Sequence, residues 1–179
     1  MAIIANGGFF FTPHVLKYAE DADTILNKFK TRRETGIPDS IFPFVQHGMA
    51  GAVNFGTAKI AKVDSIQVCG KTGTAENPHG KDHSWFSCFA PEKNPKIAVA
   101  IIIENGGWGA SYAAPIASLV VEKYVNRTIS EKRKPLEERM MKAVLIDAPE
   151  LLPQPEQKTP VDSNKQKITA QAAILPKKQ

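Results

Sequence analysis

Three strand-like runs separated by short turns constrain the fold of this chain more than any other feature of its sequence. The runs occupy residues 66–75, 84–90 and 96–104. The turn Pro91-Glu92-Lys93-Asn94-Pro95 separates the second run from the third, and a loop at 76–82 separates the first from the second. Connections this short join antiparallel neighbours. The sequence therefore predicts a three-stranded antiparallel sheet.

Two amphipathic helices are predicted to pack on this sheet. Apolar residues recur at helical spacing from Pro43 to Phe55 and again from Pro115 to Asn126. The apolar run at 97–103 shows no alternation with polar residues, which favours a strand that is covered on both faces. The predicted fold class is α/β, with an antiparallel sheet sandwiched by helices.

The first 35 residues combine a helix end with a charged segment. Asn6-Gly7-Gly8 is typical of a helix C-terminus, and an apolar extended piece, 9–14, follows it. Residues 16–35 are rich in charge, which predicts a solvated surface loop with weak structure. So little helix precedes Asn6 that we expect further sequence upstream.

The basic charge is concentrated near the C-terminus. Residues 1–126 contain twelve Lys and Arg against eleven Asp and Glu, whereas 127–179 contain eleven against seven. A basic core surface for nucleic acid is therefore not indicated. Six prolines and no aromatic residue follow Tyr124. We predict a domain at 1–128 and a Pro-rich, basic, flexible tail at 129–179, with a short helix at 136–144 as its one structured part.

The cysteines and histidines predict neither a metal site nor a cofactor. Cys69 and Cys88 lie in different predicted strands and form no C-x-x-C motif, so both are expected to be buried as small apolar residues. The four histidines lack the spacing of zinc ligands. The longest apolar run, 97–103, is too short to cross a bilayer, and no signal peptide opens the chain.

The first predicted strand carries the residues best suited to chemistry, in the stretch Cys69-Gly70-Lys71-Thr72-Gly73-Thr74-Ala75-Glu76. A Lys71 ammonium flanked by the hydroxyls of Thr72 and Thr74 can receive a carboxylate or a developing oxyanion. Gly73 within a strand suggests that a ligand or another backbone comes close there. The alternative is an edge strand on which the lysine only guards against aggregation.

These residues stand in an ordered series of motifs. Lys71-Thr72-Gly73-Thr74-Ala75 is followed by Asp82-His83-Ser84-Trp85-Phe86-Ser87-Cys88-Phe89-Ala90-Pro91, by Asn94-Pro95-Lys96-Ile97-Ala98-Val99-Ala100 and by Glu104-Asn105-Gly106-Gly107. Over residues 1–126 the chain resembles the C-terminal part of a class B penicillin-binding protein of the elongation type, a peptidoglycan D,D-transpeptidase. The resemblance implies an incomplete transpeptidase or serine β-lactamase-like fold.

The resemblance also implies a reaction and its partners. The substrate would be a peptidoglycan stem peptide, cross-linked through a serine acyl-enzyme that β-lactams trap. The full-length parent would be anchored at the periplasmic face of the inner membrane and would work with a glycosyltransferase. Lys71 would support the electrostatics of the nucleophile, Thr72 and Thr74 would bind the carboxylate, the backbone N–H of Thr74 would be an oxyanion donor, and Gly73 would let the acyl chain lie along the strand.

The chain departs from the family pattern at its nucleophile. No Ser or Thr is followed by Lys three residues later, and no Ser-x-Asn occurs. We therefore expect this chain alone to be inactive, because nucleophile, base and oxyanion hole act together in such sites. The alternative hypothesis is a non-catalytic module that retains the strand for carboxylate binding or as a scaffold.

Overall fold

The computed structural model describes residues 1–16 and 23–145. Its helices and strands, in chain order, are α1 (Ala2–Asn6), β1 (Phe9–Phe10), α2 (Asp23–Lys30), β2 (Arg33–Glu34), α3 (Ile41–Asn54), β3 (Cys69–Ala75), β4 (His83–Ala90), β5 (Ile97–Ile103), α4 (Ala113–Asn126) and α5 (Lys134–Met141). Short 3-10 turns lie at Lys59–Ala61 and Glu131–Arg133. As expected, α1 ends at a glycine, Gly7, in the left-handed conformation.

The predicted three-stranded antiparallel sheet is confirmed. Its strand order is β3-β4-β5, so β3 is an edge strand. Lys71 lies opposite Ser87 and Gly73 lies opposite Trp85 in the register of β3 with β4. The first strand begins at Cys69 rather than at Ile66, because Ile66 instead makes an isolated bridge with Val63.

One face of the sheet packs against α4. Side chains alternate between the two faces of a strand, so Phe86, Cys88 and Ala90 of β4 point the same way. They share a buried cluster with Ala117 and Val121 of α4. Small residues on α4 let the helix lie close to the strands, and the predicted helix from Pro115 is confirmed, beginning two residues earlier at Ala113.

The opposite face packs against α3 and α1. Cys69 and Phe89, which lie opposite each other in the sheet, share a second cluster with Met49 of α3 and Ala5 of α1. Burial raises the pKa of the Cys69 thiol to about 12, and it does the same to Cys88 on the α4 side. Both cysteines are free and buried, as expected for small core residues.

The prediction that β5 is covered on both faces is wrong. Along β5, half-buried residues alternate with exposed ones, and Ile102 is 47% exposed. Val99 and Ile101 pack toward α4, whereas α3 contacts β3 and α1 contacts β4. The apolar run did not reveal this asymmetry because the exposed face carries Ala98, Ala100 and Ile102, which are apolar like the residues that face α4.

The charged segment between 16 and 35 is more regular than predicted. Residues 23–30 form α2, and β2 pairs antiparallel with β1, with Phe10 opposite Arg33. The Arg32 guanidinium lies 3.8 Å from the centre of the Phe9 ring, which gives the apolar piece after α1 a cation–π partner. Residues 17–22 of the predicted loop lie outside the described residues.

The compact unit extends to Leu145, beyond the boundary predicted at 128. The Arg133 guanidinium holds this extension: its Nε lies 3.2 Å from Oε2 of Glu122, and it donates to the Lys62 carbonyl at 2.7 Å. Partial burial lowers the pKa of Arg133, and the Glu122 carboxylate opposes that shift. The helix predicted at 136–144 occurs as α5, starting two residues earlier. Residues 146–179 of the predicted tail lie outside the described residues.

Candidate functional site

The site predicted from the sequence lies along the edge strand β3. Lys71 is exposed, and its ammonium donates a hydrogen bond to the Thr72 carbonyl at 2.7 Å. Lys71 lies directly opposite Ser87 in the sheet, so both side chains project from the face of the sheet that α4 does not cover. Each edge strand directs the N–H and C=O groups of alternate residues away from the sheet, which makes them available to a ligand.

The two threonine side chains leave the other face of β3, as the alternation predicted. Thr72 is half-buried and Thr74 is exposed. The Thr72 hydroxyl lies 3.0 Å from the hydroxyl of Thr57, which follows α3. The Lys71 ammonium therefore lies on one face of β3 and the two threonine hydroxyls on the other. The outer backbone edge of the strand lies between them.

An open cavity of about 480 Å³ brings these groups together with a second segment of the chain. It is lined by Thr57, Lys71, Thr72, Gly73, Thr74, Trp108, Gly109 and Ala110. All four site residues predicted from β3 therefore border one cavity. Thr57 and Trp108 were not in the predicted set, and Trp108 is 79% exposed. Larger cavities elsewhere lie away from β3, and their linings do not include the predicted residues.

The loop that carries Trp108 approaches β3 through its backbone. A Cβ added at Gly109 would lie 2.4 Å from the Trp85 carbonyl oxygen and 2.6 Å from that of Gly73. No side chain fits in that space, so glycine is required at 109. A Cβ at Gly73 would meet Trp85 at an ordinary 3.4 Å. A second backbone segment therefore does come close to the strand at Gly73, as predicted. The residue that must lack a side chain, however, is Gly109 of that segment and not Gly73.

Ser84 fixes this loop, and sequence reasoning did not identify it as a site residue. Its hydroxyl is buried, donates to the Trp108 carbonyl at 2.8 Å and accepts the Ala113 N–H at 3.2 Å. One side chain therefore joins β4, the Trp108 loop and the start of α4. The available signal was that Ser84, unlike Ser87, falls on the same face of β4 as Phe86, Cys88 and Ala90, where a buried hydroxyl needs hydrogen-bond partners.

Polar side chains connect the loop between β3 and β4 to the turn that follows β5. Asn77 donates to the side-chain oxygen of Asn105 at 2.9 Å, and the Asn105 N–H donates to Nδ1 of His83 at 3.0 Å. The Asp82 carboxylate accepts the Asn77 N–H at 3.2 Å. His83 thus has a structural hydrogen-bonding role, and Asp82 closes the loop between β3 and β4.

The described residues supply no metal centre. Among residues 1–16 and 23–145, no group of three or more His, Cys, Asp or Glu side chains could hold a metal ion. In the same ranges, no helix has both the length and the apolar character to cross a membrane. The residues that line the cavity offer a cation, hydroxyls and backbone N–H groups, which suit the binding of an anion.

Comparison with known proteins identifies the family. The family model described as the penicillin binding protein transpeptidase domain matches residues 1–122. The chain belongs to this family. The resemblance to a class B penicillin-binding protein, and with it the fold class, is confirmed.

Individual relatives agree with this assignment. The chain is 35% identical to the peptidoglycan D,D-transpeptidase MrdA of Haemophilus influenzae over 74% of its own length and 23% of the relative's. Among solved structures, it matches penicillin-binding protein A of Mycobacterium tuberculosis, a ceftriaxone acyl-enzyme complex, at 30% identity with a TM-score of 0.59, covering 69% of this chain and 30% of that one. It also matches a chain of a peptidoglycan synthase complex that coordinates polymerization and crosslinking, at 29% identity and a TM-score of 0.58, covering 72% and 22%.

The chain spans about a quarter of the length of the MrdA relative that it matches.

Proposed function

We propose that this chain forms the substrate-binding edge of a peptidoglycan D,D-transpeptidase. The observation that carries the proposal is the convergence of Lys71, Thr72, Gly73 and Thr74 on one open cavity at the edge of the sheet. That cavity offers donors and positive charge to an acidic peptide end, and a free strand edge along which an extended peptide can lie. The D-alanyl-D-alanine terminus of a stem peptide has both features.

The residues of β3 would act at different parts of that substrate. The hydroxyls of Thr72 and Thr74 bind the terminal carboxylate, and Gly73 leaves room for the acyl chain beside the strand. The backbone N–H of Thr74 donates to the oxyanion that forms at the carbonyl under attack. The Lys71 ammonium supplies positive charge on the opposite face, where it lowers the energy of negative charge at the nucleophile.

The nucleophile comes from outside this chain. Its serine oxygen bonds to the penultimate D-alanine carbonyl carbon, the bond to the terminal D-alanine breaks, and that D-alanine leaves with a proton on its amine. An amine of a neighbouring stem then displaces the serine and completes the cross-link. A β-lactam occupies the same position and leaves the serine acylated.

The setting follows from the same assignment. The parent enzyme would be anchored in the inner membrane and would work at its periplasmic face. Its partner would be a glycosyltransferase, and the match to a chain of a synthase complex that couples polymerization to crosslinking supports this pairing. No nucleic acid and no cofactor enter the reaction.

A second candidate is a non-catalytic module that keeps the carboxylate-binding strand as a scaffold. The absence of Ser-x-x-Lys and Ser-x-Asn from the sequence favours it. The two candidates predict the same binding edge and differ in whether a nucleophile is supplied from elsewhere.

Intact-protein mass spectrometry with a fluorescent penicillin separates these possibilities. The 179-residue chain is compared with a polypeptide extended at its N-terminus to include Ser-x-x-Lys and Ser-x-Asn segments of this family. We expect the adduct only on the longer polypeptide. The Ser87→Ala variant is the control, because Ser87 is the cross-strand neighbour of Lys71. An adduct on the short chain that Ser87→Ala abolishes would contradict the missing nucleophile, and no adduct on either chain would favour the scaffold.

A further inference from the structure

A hydroxyl from outside β3 contacts the carboxylate-binding strand. Thr57 follows α3 in the chain, and its Oγ1 lies 3.0 Å from Oγ1 of Thr72. Both side chains line the cavity described above. The separation is that of a hydrogen bond in which either oxygen can be the donor.

The backbone around Thr57 holds this hydroxyl in place. The N–H of Gly56 bonds to the Gly51 carbonyl, and the N–H of Ala58 bonds to the Ala52 carbonyl at 3.0 Å, so the turn after α3 is closed on both sides of Thr57. Ala58 is fully buried. A Cβ at Gly56 would lie 2.9 Å from Cα of Ala52, so the turn cannot widen to accept a side chain there. Thr57 is also β-branched, which limits its own rotation.

The direction of the bond between the two hydroxyls decides what Thr72 can offer a ligand. Each hydroxyl has one proton and two lone pairs, whereas a carboxylate only accepts. If Thr72 donates to Thr57, its proton is used and it cannot donate to the carboxylate. If Thr57 donates to Thr72, the Thr72 proton is free to point into the cavity. A bound carboxylate selects this second arrangement.

We propose that Thr57 is a positioning residue that donates to Thr72 and thereby directs the Thr72 proton to the substrate carboxylate. The two hydroxyls and the carboxylate form a chain of hydrogen bonds, in which each bond polarises the next. This role rests on the proposed function, since it presupposes that Thr72 binds a carboxylate. Thr57 also borders the cavity, and the role assigned to it here is exerted through Thr72.

The test measures binding to the 179-residue chain, which requires no nucleophile. Acetyl-D-alanyl-D-alanine and its C-terminal amide are each titrated into the chain, and the amide signals of residues 71–74 are followed by NMR. The amide probe keeps the peptide but lacks the negative charge. We expect the wild-type chain to bind the free acid more tightly than the amide.

Three variants isolate the Thr57 hydroxyl. Thr57→Val keeps the shape and removes the hydroxyl, so we expect affinity for the free acid to fall roughly 2- to 12-fold, with affinity for the amide little changed. Thr57→Ser returns the hydroxyl and should restore the acid preference. Thr57→Ala repeats the removal without β-branching. Thr128→Val, at an exposed threonine far along the chain, is the matched control and should bind as the wild type does.

The outcomes distinguish this proposal from the one on which it rests. If the wild type prefers the acid and Thr57→Val or Thr57→Ala keeps that preference in full, the positioning role of Thr57 is wrong. Carboxylate binding by β3 is then still supported. If the wild type binds acid and amide equally, the carboxylate function of β3 is itself overturned, and the role of Thr57 falls with it. Loss of affinity for both probes in Thr57→Val, without rescue by Thr57→Ser, would mean a packing effect and would also overturn the proposal.

Discussion

The two faces of the central sheet differ in how completely this chain covers them. On the α4 side, Phe86, Cys88 and Ala90 are fully buried beneath a helix that contacts both β4 and β5. On the opposite side, α1 and α3 bury Cys69 and Phe89, but Trp85 remains 41% exposed and Ile102 47%. The first face stabilises the fold, whereas the second leaves apolar side chains beside Lys71.

This difference explains how one strand can be both well anchored and accessible. The start of β3 is buried, while its Lys71-to-Ala75 half is exposed or half-buried. The functional half of the strand is held by its ladder to β4 and by the loop that Ser84 fixes. A site on a strand with this support keeps its geometry while a substrate enters from the open side.

The comparison predicts its largest effect for a truncation on the covered face. Phe86→Ala removes a fully buried ring from the cluster beneath α4, so we expect the free energy of unfolding to fall by about 3–5 kcal/mol. Trp85→Ala, the matched change one residue away on the open face, should cost less, about 2 kcal/mol, because 41% of Trp85 is already exposed to water. Urea unfolding followed by far-UV circular dichroism measures both. Equal losses would mean that the two faces do not differ in energy as they do in burial.

The next effect tests the extension that packs behind α4. In Glu122→Gln the Arg133 guanidinium loses its charged partner while 13% of its side chain remains exposed, so we expect unfolding to become easier by about 2–3 kcal/mol. The control is Lys132→Met, which breaks an ion pair with Asp64 whose two side chains are at least 79% exposed. That pair should be worth less than about 1 kcal/mol. Stability unchanged in Glu122→Gln would show that residues 129–145 do not contribute to the fold.

The sequence predicted the covered part of this structure better than the open part. The Pro91–Pro95 turn and the periodicity from Pro115 depend on local signals, and both the hairpin and α4 were predicted. The exposure of Ile102 depends on which helix reaches which strand, and the residue types along β5 do not encode that. The contribution of residues 129–145 was missed for the same reason. In the sequence Arg133 is one of many basic residues after Tyr124, and only the fold brings it next to Glu122.

The site was predicted in the same partial way. Lys71 to Thr74 form a contiguous motif, so they could be recognised together. Thr57 and Trp108 line the same cavity, although they lie 14 residues before Lys71 and 34 residues after Thr74 in the chain. No local pattern in the sequence indicates that either residue lies beside β3. Ser84 gave the clearest missed signal, as a hydroxyl on the face of β4 that otherwise carries Phe86, Cys88 and Ala90.

Ser84→Ala should separate the site from the fold. The variant leaves the Trp108 carbonyl and the Ala113 N–H without their shared partner, which we expect to cost about 1–2 kcal/mol of stability. The Trp108 loop should loosen over β3 as a result. Hydrogen exchange should quicken at the Gly107 N–H, which bonds to the Asp82 carbonyl at 2.7 Å, and at the Ala113 N–H, and Ser118→Ala, at a buried serine within α4, should leave that exchange unchanged. Fast exchange in both variants would mean that global unfolding, and not this hydroxyl, controls the loop.

The smallest change in stability is expected for a substitution on the open face of the sheet, which tests most directly whether the two faces differ. Ile102→Lys places a charge at an exposed position of β5, so the unfolding free energy of this chain should change by no more than about 0.5 kcal/mol. The control is Ile101→Lys, one residue away at a half-buried position that faces the α4 cluster, where partial burial of the charge should cost roughly 2 kcal/mol or more. Thermal unfolding of both variants provides the measurement. If Ile102→Lys is also strongly destabilising, that side of β5 is covered in solution by something beyond the described residues, such as a second copy of the chain. Dilution would identify that copy, because the loss would then depend on protein concentration.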